Sequence, residues 1–308
     1  MKWISAEELA KAAPYKDIVE ALRQGFRDDI ETPVRHHHET SPTTTLLLMP
    51  AWSTAFTGLK TVTVKTDNAA HNLATVQAAY LLIDNATGTP VAMMDGTELT
   101  RRRTAAAGAL AADYLARPDA STLLIVGAGA LAKHFVRAHA CMRPIKTVLI
   151  FNRTREKSLK LAQELSAEGF AASAVTDLEL ATSAAHIISC ITSSAVPIIK
   201  GAWLKPGTHI DLAGAFKPTM RETDGKTISC SRVYVDTRHG AKAEAGDLIQ
   251  AQVEGHFDFN DVQGDLFELC RGAVHGRKTE SEITLFKSCG TALEDLATAV
   301  MVHLHGDA

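Results

Sequence analysis

A short apolar run, Thr122-Leu-Leu-Ile-Val126, leads directly into Gly127-Ala128-Gly129-Ala130-Leu131-Ala132. The run does not alternate, so it predicts a strand buried on both faces, as in a parallel sheet covered by helices. Gly127 permits a tight turn out of that strand. Gly129 lets backbone approach a pyrophosphate with no Cβ in the way, and Ala132 lets helix and strand pack closely. Leu131 to Ala140 has the pattern of a helix, whose N-terminal N–H groups and dipole favour an anion. A second strand is predicted at Thr147–Phe151. Strand, glycine turn, helix and strand in this order point to a dinucleotide site, with Gly127, Ala128, Gly129, Ala130 and Leu131 at the phosphates.

The second strand ends in Asn152-Arg153-Thr154. Enzymes that use NAD place a carboxylate there to accept from the ribose 2′-OH. Here no carboxylate repels a 2′-phosphate, and Arg153 can pair with one. The expectation is NADP(H) by preference, with NAD(H) possible. The plainer alternative is a solvated Arg153 and a Thr154 that only caps the next helix.

With 308 residues, 46% of them hydrophobic and 22% charged, the chain can bury a substantial core and hold two domains. A net charge of −3 gives no reason to expect nucleic acid or an acidic membrane as partner. Five scattered cysteines, at 141, 190, 230, 270 and 289, lack metal-ligand spacing and suggest reduced thiols. Met1–Ser5 contains no apolar signal region, and no apolar run is long enough for a bilayer. A cytoplasmic protein without a bound metal is expected.

Ahead of the glycine turn, a helical pair around Glu7–Leu9 and Ile18–Phe26 is followed by Pro33-Val34-Arg35 and three histidines, His36 to His38. Adjacent histidines on a strand alternate faces and cannot share one ion, so a strand-edge role is expected. Thr43–Met49, Gly58–Val64, Ala79–Ile83 and Pro90–Met94 read as a mostly antiparallel sheet. Thr100 is read as the cap of a helix bearing Arg101, Arg102 and Arg103, a placement against the dipole that suggests an anion nearby. After the turn the chain alternates strand and helix. Strands end at Thr192-Ser193-Ser194, at Ala213–Phe216 and at Asp236, where doubly wound sheets bind ligands. Ile283–Gly290 is read as a turn leading into a C-terminal helix, Ala292–His303. The expected fold is α/β: a Rossmann-type doubly wound domain (116–289) plus an α+β substrate and dimerisation domain (1–115 with 290–308).

Strings spread over nearly the whole chain resemble the ornithine cyclodeaminase/μ-crystallin family. They are Pro33-Val34-Arg35, Leu48-Met49-Pro50, Gly58-Leu59-Lys60, Asp84…Thr87-Gly88, Arg103-Thr104-Ala105-Ala106, Gly127-Ala128-Gly129, Glu244-Ala245-Gly246-Asp247 and Thr284…Phe286-Lys287-Ser288…Gly290. The resemblance implies a homodimer built on the first domain. It also puts the family's substrate-carboxylate cations on Arg35, Lys60 and Arg103. Three cations from separate segments suit one small anion through charge-assisted bonds; the bland alternative for each is a salt bridge within the chain.

Two departures bear on the subfamily. Cyclodeaminases carry an Asp where this chain has Phe216 and a Glu where it has Leu47. The Gly214-Ala-Phe216-Lys-Pro-Thr-Met-Arg-Glu222 loop instead resembles that of bacterial Δ1-pyrroline-2-carboxylate reductases, which also take Δ1-piperideine-2-carboxylate. Phe216 would then wall an apolar ring, or simply pack its loop. The resemblance implies reduction of a cyclic imino acid to L-proline or L-pipecolate. Lys60 and Glu244 are the candidate catalytic groups, Glu244 holding the iminium or relaying its proton, with a water as rival. Asp247 is read as a possible helix cap. Thr192 and Ser193 are candidates for the nicotinamide ribose side, and Gly290 for the carboxamide side. An alanine dehydrogenase, a linear ketimine reductase and a non-catalytic crystallin-like NADPH binder stay open as alternatives.

Overall fold

The computed structural model describes residues 1–71 and 73–305. The chain divides into two compact units, residues 1–104 with 291 onward, and 105–290.

The first unit opens with β1 (Lys2–Ile4), α1 (Ala6–Ala12) and α2 (Tyr15–Arg27). Ser5 and Glu8 form a reciprocal capping box on α1. Next come β2 (His36–Ser41), β3 (Thr44–Trp52), β4 (Phe56–Lys65), β5 (Val76–Asp84) and β6 (Thr89–Asp95). The sheet order is β1-β6-β5-β4-β3-β2, antiparallel except for β1 against β6. The three histidines lie on β2, an edge strand exposed along its length, as their alternation suggests. The β1 pairing has no signal in a three-residue run.

A long helix, α3 (Gly96–Leu115), runs through the boundary of the two units. It corrects one expectation. The helix starts at Gly96, and the Asp95 carboxylate accepts from the Glu98 N–H. Thr100 lies inside the helix and donates to the Gly96 carbonyl. Arg101 and Arg102 therefore sit a turn beyond the start, within reach of Glu98. They do not crowd the positive end of the dipole.

The second unit contains β7 (Thr122–Val126), α4 (Ala132–Met142), β8 (Thr147–Phe151), α5 (Arg155–Ala167), β9 (Ala171–Ala174), α6 (Leu178–Ala184), β10 (Ile187–Cys190), β11 (His209–Leu212), α7 (Gly225–Ser229), β12 (Arg232–Val235), α8 (Arg238–Glu244), α9 (Gly246–Val253), β13 (Gly264–Asp265), α10 (Leu266–Cys270) and β14 (Thr284–Lys287). All eight strands are parallel, in the order β13-β12-β14-β11-β10-β7-β8-β9. The winding reverses between β7 and β10, the switch point where doubly wound sheets open a ligand crevice. Leu124, Val126, Ile188, Cys190, Ile210, Leu212, Val235 and Leu285 are buried in its core. The run from Ile283 to Gly290 is not a turn leading into a helix. Its centre, Thr284–Lys287, is a fully buried strand between β11 and β12. Register aligns Val126, Cys190, Leu212, Lys287 and Val235 at one edge, so the loops that follow them emerge together.

The last helix, α11 (Ala292–His305), returns to the first unit and packs on α2, β3 and β4. No helix among the described residues is long and apolar enough to cross a membrane.

Candidate active site

Alternation along β4 places Gly58, Lys60 and Val62 on one buried face. Register sets Lys60 beside Met49 of β3 and Tyr80 of β5, both buried. A lysine on the core face of a sheet must find a partner or lose its charge. Lys60 is 1% exposed, and its Nζ lies 2.8 Å from Oδ1 and 2.7 Å from Oδ2 of Asp295. Arg103 reaches the same carboxylate, Nε to Oδ1 at 2.9 Å, and binds Oε2 of Glu294 at 2.5 Å. Both acids are fully buried in the first turn of α11, where the dipole favours anions.

The charges act strongly on one another. Burial first, and then the Arg103 charge, push the Lys60 pKa down to about 8; Asp295 opposes this, and Arg35 adds to it. Burial works against the Arg103 charge, but Asp295 and Glu294 outweigh it and hold its pKa above the ordinary arginine value. Burial, aided by Asp295, raises the Tyr80 hydroxyl well above its usual value. That hydroxyl has no hydrogen-bond partner among the described residues. A Cβ at Gly58 would fall 1.8 Å from it, so only glycine fits there. Arg35, half-buried between α2 and β2, is close enough for Lys60 to feel its charge. Lys60 and Arg103 thus meet at one carboxylate, with Arg35 in electrostatic reach. Asp295 and Glu294 were missed in the sequence, where acids in a first helical turn look like ordinary dipole partners.

In the second unit the glycine turn has the geometry a dinucleotide needs. Gly127 has a φ of 110°, and a Cβ there would press on Ile191 and Thr192. A Cβ at Gly129 would meet nothing within 4 Å, so this backbone faces open space. Leu131 stands at the start of α4 and no side chain caps the helix, so its first turn can receive an anion. Ala132 is fully buried against the core. These features fit a nicotinamide dinucleotide. Asn152 holds the turn in place, accepting from the Ala128 N–H at 3.0 Å and donating to the Thr154 carbonyl. Arg153 is exposed and forms no ion pair among the described residues. Thr154 occupies the position before α5, but its side chain makes no capping bond.

The other candidates lie on loops at the same strand edge. Thr192 and Ser193 follow β10, Phe216 follows β11 with 44% of its surface exposed, and Gly290 follows β14. Glu244 ends α8 half-buried. Two residues on, the Gly246 N–H donates to the Ala215 carbonyl, which brings this corner against the Phe216 loop. Asp247 is not a helix cap. Its Oδ1 accepts from the N–H groups of Glu222 and Thr223 and from the Thr223 hydroxyl. Two buried acids tie the loops together, Asp236 at a strand end already marked in the sequence and Glu222, which was given no role there. Asp236 accepts from the N–H groups of Cys289 and Gly290, and Glu222 accepts from the loops after β10 and β11.

The model of the ornithine cyclodeaminase/mu-crystallin family matches residues 4–305. The chain belongs to that family. Among family relatives, a Δ1-pyrroline-2-carboxylate reductase of Paracoccus denitrificans is 39% identical over 92% of this chain and 90% of its own. The solved Thermococcus litoralis Δ1-pyrroline-2-carboxylate reductase, in complex with NADH and L-proline, is 33% identical. It superposes with a TM-score of 0.94 over 99% of this chain and 97% of that one. An archaeal alanine dehydrogenase dimer with bound NAD is 29% identical, with a TM-score of 0.93 over 99% and 96% of the two chains.

Proposed function

We propose that this chain is a nicotinamide-dependent imine reductase. Its substrate is a cyclic imino acid, Δ1-pyrroline-2-carboxylate or Δ1-piperideine-2-carboxylate, and its product L-proline or L-pipecolate. The observation that carries the reading is the meeting of Lys60 and Arg103 on one buried carboxylate, with the Arg35 charge felt at Lys60. Lys60 and Arg103 are already paired within the chain to Asp295 and Glu294, so the three cations exceed the two buried acids by one charge, and that excess is what favours a further small anion. The identity to named Δ1-pyrroline-2-carboxylate reductases supports the choice of substrate.

In this reading Arg35, Lys60 and Arg103 hold the substrate carboxylate and so fix the orientation of the C=N bond, which supplies much of the rate. Phe216 offers an apolar wall to the ring. Glu244 holds the iminium or relays its proton, and a water is the rival donor. Gly127 to Leu131 hold the pyrophosphate, Thr192 and Ser193 the ribose side and Gly290 the carboxamide side. The bound reduced nicotinamide supplies the hydride that adds to C2. Exposed Arg153, with no carboxylate beside it in Asn152-Arg153-Thr154, supports NADP(H) over NAD(H). The two solved relatives carry NADH and NAD, which makes NAD(H) the rival. A cytoplasmic homodimer belongs to the same proposal; the relative described as a dimer supports the assembly.

The test is nucleotide oxidation with both cyclic imines, with NADPH and with NADH, beside pyruvate plus ammonia. Arg35→Ala should lower kcat/KM for the imine by about tenfold or more, the worth of one charge-assisted bond. An unchanged kcat/KM rejects carboxylate docking. Faster turnover of pyruvate with ammonia favours an alanine dehydrogenase, and a preference for NADH rejects the Arg153 argument.

A further inference from the structure

Glu222 is fully buried, yet it joins the loop after β10, which carries Thr192 and Ser193 of the proposed cofactor site, to the loop after β11, which carries Phe216. Its Oε1 accepts from the Thr192 N–H at 2.6 Å and from the Thr192 hydroxyl at 2.8 Å. Its Oε2 accepts from the N–H groups of Gly214 at 2.9 Å and Ala215 at 3.2 Å. One carboxylate therefore gathers the loop after β10 and the loop after β11. The first of these loops in turn bears on the glycine turn, since a Cβ at Gly127 would meet Thr192 Cγ2 at 3.1 Å. The packing leaves no slack. A Cβ at Gly214 would fall 2.2 Å from the Thr192 carbonyl and 2.3 Å from Glu222 Oε1.

We propose that Glu222 is a positioning residue for the nicotinamide nucleotide, its ionised carboxylate holding the β10 and β11 loops in the binding geometry. The inference rests on the reading of this unit as a nicotinamide site. The chemistry of the four partners favours the ionised form. Three of the donors are main-chain N–H groups, which cannot reverse their role. An amide in either orientation sets an N–H against at least one of them, and a protonated carboxyl avoids this only by turning its proton to the Thr192 hydroxyl, which then no longer donates and leaves the protonated oxygen a poorer acceptor for the Thr192 N–H. The surroundings make the ionised state responsive to pH. Asp247 of α9 faces Glu222, Lys287 of β14 lies behind both, with Nζ 3.8 Å from Asp247 Oδ2, and the Cys190 thiol of β10 also feels the Glu222 charge. Burial, reinforced by Asp247 and opposed by Lys287 and the Thr192 bonds, pushes the Glu222 pKa up to about 7. The clamp is complete above that value and weakens below it.

The experiment titrates wild type and Glu222→Gln with NADPH and with NADH from pH 6 to 8.5, following nucleotide fluorescence. Both nucleotides are needed because a 2′-phosphate titrates in the same range. In the wild type, affinity for either nucleotide should fall as the pH drops through about 7. Glu222→Gln should bind about tenfold more weakly at pH 8, as expected for a lost bond to a charged group, and should lack that ionisation. A variant with wild-type affinity, or with the same pH dependence, overturns the proposal. Amide hydrogen exchange of the wild type, corrected for intrinsic rates, decides the matter if the variant fails to fold. Protection at 192–194 and 214–216 should fall selectively below pH 7, and uniform protection there overturns the clamp. If the wild type binds neither nucleotide, the functional reading fails while the exchange result still judges the loops.

Discussion

Asp295→Asn isolates the electrostatics of the first unit. The substitution removes the charge facing Lys60, whereas Arg103 keeps Glu294. The energetic consequence therefore falls on the lysine. Its pKa is about 8 in the fold and 10.5 ordinarily, so at pH 7 its buried charge already costs about 3 kcal/mol. Without Asp295, Lys60 faces Arg103 and Arg35 uncompensated and gives up its proton. The cost at pH 7 then reaches the limit set by the ordinary lysine pKa, about 5 kcal/mol. This source alone predicts an added loss on the order of 1 kcal/mol at pH 7, roughly twice that at pH 6, and little at pH 8 and above. The sign follows from proton counts. Wherever the unfolded chain holds a proton that the folded one lacks, stability rises with pH, and the variant extends that window downward from 8. A pH-independent term from the lost hydrogen bonds comes on top. Urea unfolding of both proteins at pH 6, 7, 8 and 9 measures the difference, and adding Lys60→Met should abolish its slope. A stability difference that is flat from pH 6 to 8 would refute the claim that Asp295 keeps Lys60 charged.

Two further outcomes concern the second unit. Gly129→Ala adds a Cβ that meets no protein atom, so the melting temperature should hold while nucleotide affinity falls by roughly tenfold; unchanged affinity would remove the pyrophosphate from this turn. His209 is buried, and burial followed by the charges of His139, Arg277 and Arg143 sets its pKa well below 6.5. The unfolded chain therefore takes up a proton that the folded one refuses, and stability is lost as pH falls below about 6.5, by up to about 1.4 kcal/mol per pH unit. Unfolding midpoints of wild type and His209→Gln between pH 5 and 7.5 check this, because the variant should lose that part of the slope.

The parts legible in the sequence are those whose signals are local. Thr122 to Ala132 combines an apolar run with two glycines at fixed spacing, and both depend on neighbours in the chain. Strands β3 to β6 were readable because each is a run of seven to ten residues rich in apolar and β-branched side chains, and the turn Asp84-Asn-Ala-Thr-Gly88 separates the last two. Thr284–Lys287 was not, because four residues ending in a lysine do not look like a central strand. Its burial depends on insertion between β11 and β12, out of chain order. The helix start at Gly96 was hidden because glycine is a poor helix former and Thr100 has the chemistry of a cap. Asp295 was invisible for a different reason. Its partners, Lys60 and Arg103, lie 235 and 192 residues earlier, and only the return of α11 to the first unit brings them together.

Register also gives meaning to a residue that is missing. Leu47 pairs with Val62 while Met49 pairs with Lys60. Side chains two apart on a strand share a face, so position 47 looks onto the same surface as the Lys60 ammonium. The cyclodeaminase pattern has a glutamate at this position. With leucine there, β3 contributes no carboxylate to that face, since Thr44–Trp52 contains none. Loss of ammonia from a substrate amine needs a group to manage the amine and an attacking water, and an aliphatic side chain can do neither. Addition of hydride to a C=N bond that already exists asks only that its carboxylate be held and its nitrogen be protonated. A leucine at 47 is compatible with the second demand and not with the first, which supports the proposal of reduction over deamination.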